Sequence, residues 1–268
     1  MNARRLRSFG IPAAAVAAVV AAAARWIPHF GVGDRPDHPL LPGTPWVVHD
    51  GTRPQPPVVG NAGAVVVPPP ADAEVLFDGR SLDAFREPEW RIERGILVAQ
   101  GADLITKREF GALQLHLEWR IPAGRKVHEQ RGGNSGVFLM GLYEIQILQS
   151  HDNPTYPDGM AGALYGQLPP LADATTEQGR WQSFDIVFSP PVYGAGGVER
   201  PARATVIHNG VLVQHDEAFL GPTVWRKLAR YPPSHPQQGP LRFQFHGDPV
   251  EFRNVWVREL EGHDRGAR

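Results

Sequence analysis

Leu113-Gln-Leu-His-Leu-Glu-Trp-Arg120 alternates residue by residue between an apolar and a polar side chain. A period of two predicts a β-strand with one face on a core and the other face turned away from it. The stretches that follow carry the same texture. Tyr143-Glu-Ile-Gln-Ile-Leu148 alternates, Phe184-Asp-Ile-Val-Phe188 is strand-like, and Ala204 to Gln214 reads as a hairpin turning at Asn209-Gly210. Leu241 to Phe245 and Val250 to Leu260 supply two further strands. Gly 29 and Pro 27 make up about a fifth of the 268 residues, a breaker density that leaves little room for long helices. No repeat of propeller or solenoid length is visible, so sequential short strands predict an all-β, two-sheet antiparallel β-sandwich over residues 74–260.

Outward from that domain the chain changes character. Residues 31–73 carry Pro36, Pro39, Pro42, Pro45, Pro54, Pro56, Pro57 and Pro68 to Pro70 without a sustained period. Such a stretch predicts a Pro-rich tether, here set at 25–73, rather than a partner in the core. Ahead of it, Arg4, Arg5 and Arg7 precede an apolar run from Ile11 to Ala24 that ends in small residues. That order predicts a signal peptide over 1–24, an exported (periplasmic or secreted) protein and no membrane span in the mature form. The run is short and Ala-rich for a spanning helix, which leaves an uncleaved N-terminal anchor as the alternative. Residues 261–268 form a polar tail.

Composition narrows the chemistry. With 27 Lys+Arg against 28 Asp+Glu, the net charge of -1 gives no footprint for nucleic acid. Cys 0 removes thiol nucleophiles, disulfides and cysteine-ligated zinc. The histidines show no ligand spacing, so no metal and no cofactor are expected. Gly132-Gly-Asn-Ser-Gly136 has no following Lys and helix, which excludes a phosphate loop and suggests a bend entering a strand.

Five ordered segments together are similar to the 3-keto-disaccharide hydrolase family. They are Leu76-Phe-Asp-Gly-Arg-Ser-Leu82, Gly132 to Ser150, Thr155-Tyr-Pro-Asp-Gly159 with Ala163 to Pro170, Gly179 to Phe188, and His208 to Gln214 with His246 to Trp256. The resemblance implies a concanavalin-like, laminarinase-like jelly roll, a carbohydrate or glycoside substrate, and cleavage of a glycosidic bond whose sugar carries a ketone at C3. That ketone acidifies the C2 proton, so a base can remove it and expel the C1 substituent, after which water adds back. Three positions depart from the family pattern: Leu142 where Arg is frequent, Gln149 where Asp is usual, and Phe245 where Asp commonly precedes His-Gly.

Glu144 and Gln146 lie two apart on one strand and share the face opposite Tyr143, Ile145 and Ile147. Glu144 is therefore the candidate base, with His246 assisting proton transfer. Gln146 cannot ionise, which disfavours a conventional laminarinase-like pair of carboxylates. Asn134 and Gln146 are candidates to orient a sugar, Tyr165 and Trp181 to stack on one, and Lys107 to lend charge to an enolate. The competing class is a non-catalytic carbohydrate-binding sandwich, which would line the same face with aromatics and no convergent acid.

Overall fold

The structure, a computed structural model, describes residues 31–260. Its strands are β1 (Glu74–Phe77), β2 (Phe85–Arg86), β3 (Arg91–Glu93), β4 (Ile96–Val98), β5 (Leu104–Phe110), β6 (Leu113–Arg120), β7 (Ser135–Leu139), β8 (Tyr143–Ile147), β9 (Gln182–Ser189), β10 (Val192–Gly194), β11 (Gly197–Arg200), β12 (Arg203–His208), β13 (Val211–Ala218), β14 (Gly239–Phe243) and β15 (Glu251–Glu259). Among the described residues the helical content is one 3-10 turn, Pro157–Gly159.

These strands form an antiparallel β-sandwich. An eight-stranded sheet runs β13-β12-β9-β6-β15-β4-β3, with β1 also on β15, and faces a five-stranded sheet in the order β2-β5-β14-β7-β8. The alternating stretch at 113–120 is β6, and Leu113, Leu115, Leu117 and Trp119 are buried in the core as the period requires. They meet Val137, Leu139, Tyr143, Ile145 and Ile147 of the smaller sheet. The β12–β13 hairpin turns at Asn209 (φ 52) and Gly210 (φ 81), both left-handed as a two-residue hairpin turn demands. Asn209 also accepts from Ser183 N at 2.8 Å and donates to Ala174 O at 2.9 Å, which ties the turn to β9.

The part of the expected tether that the structure describes is not free, and the expectation is corrected. Residues 31–73 form a strap that winds along the sandwich and buries Leu41, Val47 and Val48. Residues 31–53 fold back on themselves, with Leu41 N donating to Trp46 O (2.8 Å) and Val48 N to Pro39 O (3.0 Å), and the stretch that follows finds its partners on the domain. Gln55 donates to Thr155 O (2.8 Å), Val59 N to Asp173 O (2.8 Å), Asn61 to Ala174 O (2.7 Å) and Val65 N to Ser183 Oγ (3.0 Å). Val67 O then accepts from both Trp256 Nε1 (3.0 Å) and Asn254 Nδ2 (3.1 Å). The predicted signal peptide and polar tail lie outside the described residues.

Candidate active site

Register places a polar group on the outward face of the five-stranded sheet. Phe138 on β7 is paired with Glu144 on β8, Gly136 with Gln146, and Arg242 on β14 with Phe138. Directly opposed residues share a face, so Glu144, Gln146 and Arg242 stand together with Phe138 between them. Gly136 is required there, because a Cβ at that position would collide with the Glu144 carboxylate.

This face would be solvated on an isolated sheet, yet Glu144 is only 4% exposed and Gln146 fully buried. The cover is the loop that follows β8. Gln146 N donates to Ala163 O (3.1 Å), Gly162 N to Gln146 O (2.9 Å) and Tyr165 N to Glu144 O (3.3 Å), so residues 162–165 extend the sheet and then fold over it. Gln130 and Asn134 close the other side, Asn134 Nδ2 donating to Gln130 O at 3.0 Å. With its nitrogen turned to the acid, the Gln146 amide donates to Glu144 Oε1 (3.2 Å) and Ser135 O (3.0 Å).

Burial dominates the electrostatics. It pushes the Glu144 carboxyl up to about 8, while the Arg242 guanidinium pulls it down and Asp103 pushes it up further. Arg242 is itself held by Asp103 at 2.7 Å and lies over the Phe138 ring with its Cζ 3.5 Å from the centroid. Burial and the field of Glu144 raise the Tyr165 hydroxyl, which is 3.0 Å from that of Tyr156, so both phenols stay protonated. An acid with a pKa near neutrality, beside a cation and neutral hydroxyl donors, can take a proton and hold developing negative charge close by.

Of the residues expected from the sequence, Glu144, Gln146, Asn134 and Tyr165 come together. Lys107 is exposed on β5, and its side chain makes no hydrogen bond among the described residues. His246 is exposed in the loop after β14 and makes no hydrogen bond or ion pair among the described residues; no contact joins it to Glu144. Trp181 is separated from the group. It lies ahead of β9 in the other sheet, between the guanidiniums of Arg120 (4.6 Å) and Arg253 (4.2 Å). Guanidiniums lie against its ring, and it stands on the other sheet from the Glu144 group.

The departures from the family pattern have structural roles. Leu142 packs against the core. Gln149 donates to Thr176 O at 2.8 Å. Phe245 packs on the core while its N–H donates to Asp103 Oδ1 at 2.9 Å, so a carboxylate still stands beside this loop, carried by a different part of the chain.

Sequence reasoning missed Arg242, Asp103 and the contribution of the strap. His49, at φ 57, is buried with its ring 4.4 Å from Tyr156 and 5.0 Å from Tyr165. Its N–H donates to Asp158 Oδ2 at 2.9 Å, and its Nδ1 is 3.5 Å from Asp158 Oδ1, too far for a hydrogen bond. Arg242 and Asp103 sit on a strand and at a strand start without a distinguishing motif, and His49 lies in a stretch that reads as spacer. Nothing in the sequence singled them out. A surface cavity of about 920 Å³ between Glu109, Tyr193, His235 and Leu260 shares no residue with this group. Among the described residues no cluster of three His, Asp or Glu could hold a metal ion.

A sandwich with a buried acid on one sheet face, roofed by loops, is the architecture of a carbohydrate-active protein, and the relatives agree. Residues 72–258 match the 3-keto-alpha-glucoside-1,2-lyase-like domain, and the chain belongs to that family. A crystal structure of a glycosyl hydrolase from Parabacteroides distasonis is 37% identical with a TM-score of 0.69, covering 78% of this chain and 93% of that one. A 3-keto-disaccharide hydrolase from Bacteroides thetaiotaomicron is 24% identical over 72% of this chain and 81% of its own length. A second Parabacteroides distasonis structure, 24% identical with a TM-score of 0.51 over 70% of this chain and 99% of that one, shares the fold.

Proposed function

We propose that this chain is an exported enzyme that cleaves 3-keto-glycosides by elimination across C1–C2 followed by hydration, with Glu144 as the base. The observation that carries this reading is the Glu144 carboxyl itself, buried, raised to about 8, and flanked by Gln146 and the Arg242 guanidinium. The reaction asks for what these groups offer. The C2 proton passes to the Glu144 carboxylate, and the electron pair becomes an enolate on the C3 oxygen, for which Arg242 is the cation beside the group. The C3 carbonyl then reforms, a C1–C2 double bond appears and the C1–O bond breaks. The leaving oxygen takes a proton from the Tyr165 hydroxyl. Water then adds its oxygen to C1 and gives a proton to the Tyr165 phenolate, while the Glu144 carboxyl returns its proton to C2, which restores both groups. The family membership and the relative acting on 3-keto-disaccharides support this substrate class. Export rests on the order of charged, apolar and small residues in 1–24.

The test is release of the aglycone from a 3-keto-glucoside by the purified mature chain, with the unoxidised glucoside as control. Turnover restricted to the 3-keto compound is the expected result. Cleavage of both compounds would point to ordinary glycosidase chemistry. Sugar binding without turnover on either would favour a carbohydrate-binding module, the reading to which the apolar Leu142 and the unattached His246 lend weight.

A further inference from the structure

The loop after β13 is anchored in the core by Phe219 and Tyr231, and between them it is tied to the strand that carries the acid. Thr223 Oγ1 accepts from the backbone N–H of Glu144 at 3.0 Å, and Thr223 N donates to Leu142 O at 2.9 Å. A few residues upstream, Gly221 O accepts from Gln167 Nε2 (3.2 Å) and Leu220 N donates to Gln167 Oε1 (2.7 Å), which fastens the same loop to the segment that roofs the site. Arg226 acts electrostatically on both Tyr165 and the strap's His38, so the loop's far end also borders the Glu144 group.

On this loop stands Trp225, 50% exposed. Its exposure exceeds that of the other described tryptophans: Trp90, Trp119 and Trp256 are buried, and Trp46 and Trp181 are half-buried, Trp181 with the guanidiniums of Arg120 and Arg253 against its ring. The Arg226 guanidinium lies 4.1 Å from the centroid of the Trp225 ring, which fixes the indole plane without enclosing it. The indole thus offers an apolar face to solvent on a loop bonded to the Glu144 strand. What the neighbouring polar group would bring there is a pyranose, whose C–H face matches an aromatic face while its hydroxyls reach the surrounding donors.

We propose that Trp225 is the stacking platform of this site for a pyranose ring of the substrate, positioned by Arg226 and by the Thr223–Glu144 hydrogen bond. The proposal deepens the reading of Glu144 as a glycoside-cleaving base and rests on it for the identity of the sugar. Trp225 takes no part in proton transfer, so its contribution is uniform binding, felt in KM and not in kcat.

The experiment uses the mature chain, Trp225→Ala and Trp225→Phe. Two readouts are kept apart: kcat and KM on a 4-nitrophenyl 3-keto-α-glucoside, and calorimetric binding of the unoxidised 4-nitrophenyl α-glucoside. Trp225→Ala is expected to raise KM and the dissociation constant on the order of tenfold with kcat within about twofold, and Trp225→Phe to recover most of the loss. Trp225 is exposed, so melting temperatures should coincide. Binding that depends on Trp225 without turnover of the keto-sugar would overturn the reaction and keep the platform. KM and binding indifferent to Trp225→Ala, or a fall in kcat as large as the rise in KM, would overturn the platform, and absence of any binding by the unsubstituted chain would overturn both.

Discussion

Glu144 and Glu118 occupy equivalent places in the sequence pattern: each is the polar member of an alternating strand, each points away from the core, and each is buried. Their surroundings are opposite. At Glu118 burial alone would push the carboxyl up, but the His116 ring 3.9 Å away and hydrogen bonds from Asn254 (2.9 Å) and Arg253 (2.7 Å) outweigh it and hold the group below the usual carboxylate range. His116 in turn is bonded to Asp185 at 2.7 Å, stacked on Trp256 and raised, its partners outweighing the cost of burial. Over all of this runs the strap, with Val67 O on Asn254 and Trp256. Glu144 has burial and one neutral amide, with Arg242 near but committed to Asp103. The outer face of the large sheet is a satisfied charge network under a fixed cover, whereas the outer face of the small sheet keeps an acid short of partners. The first arrangement stabilises a fold, and the second stores a pKa useful to catalysis.

The largest effect expected is therefore on rate and confined to one side of the comparison. Glu144→Gln should lower kcat by ~10²–10⁴-fold, the usual contribution of a general base, with KM changed far less. In the unsubstituted chain kcat/KM should rise with pH, reach half its plateau near 8 and level off above that, because only the ionised carboxyl accepts the proton. A rate unchanged by the substitution would remove the base from Glu144.

The second break is to remove the strap from both sides. A chain beginning at residue 72 loses the burial of Leu41, Val47 and Val48, takes His49 from beside Tyr156 and Tyr165, and exposes the Glu118 network. At roughly 1.5–3 kcal/mol per buried aliphatic side chain, the loss is on the order of 5 kcal/mol and should appear as a fall of many degrees in melting temperature. Coincident unfolding of the two chains would restore the tether.

Glu118→Ala should cost about 3 kcal/mol by leaving His116 and Arg253 without their carboxylate, while kcat per folded molecule is kept. The sign with pH follows from the depressed carboxyl: its contribution is present above about pH 4.5 and lost as pH falls through the native value. His116, raised, works the other way, contributing below about pH 6.5 and losing that contribution as pH rises through its native value. Acid and alkaline melts of the two chains would show the difference closing at low pH.

The smallest effect sharpens the comparison. Because the Glu144 pKa is raised, the native state binds a proton the unfolded chain releases, so stability declines as pH rises from about 4.5 through 8. Glu144→Gln removes that penalty and should stabilise the protein by roughly 2 kcal/mol at pH 7 to 8, with no gain at pH 4. Urea unfolding at the two pH values measures it. A gain of stability with a loss of rate at Glu144, against a loss of stability without loss of rate at Glu118, would establish that the two acids do different work.

Much of this was legible in the chain. Alternation at 113–120 and 143–148, and the Asn209-Gly210 turn, specify strands, faces and a hairpin through rules that act over a few residues, and the pairing of Glu144 with Gln146 on one face follows from period two alone. The family was visible in ordered motifs. Local pattern could not separate Glu118 from Glu144, seat Trp181 on the opposite sheet, or bring Arg242, Asp103 and His49 to the acid, since those relations join positions up to more than a hundred residues apart. Nor could it show that residues 31–73 pack: their hydrogen bonds go to Thr155, Asp173, Ser183 and Asn254 and leave no period in the strap itself. The sequence by itself determined which residues form strands and which side of each strand is polar; tertiary structure decided which polar side is neutralised and which stays reactive, because a buried charge takes its energy from the partners that distant parts of the chain bring to it.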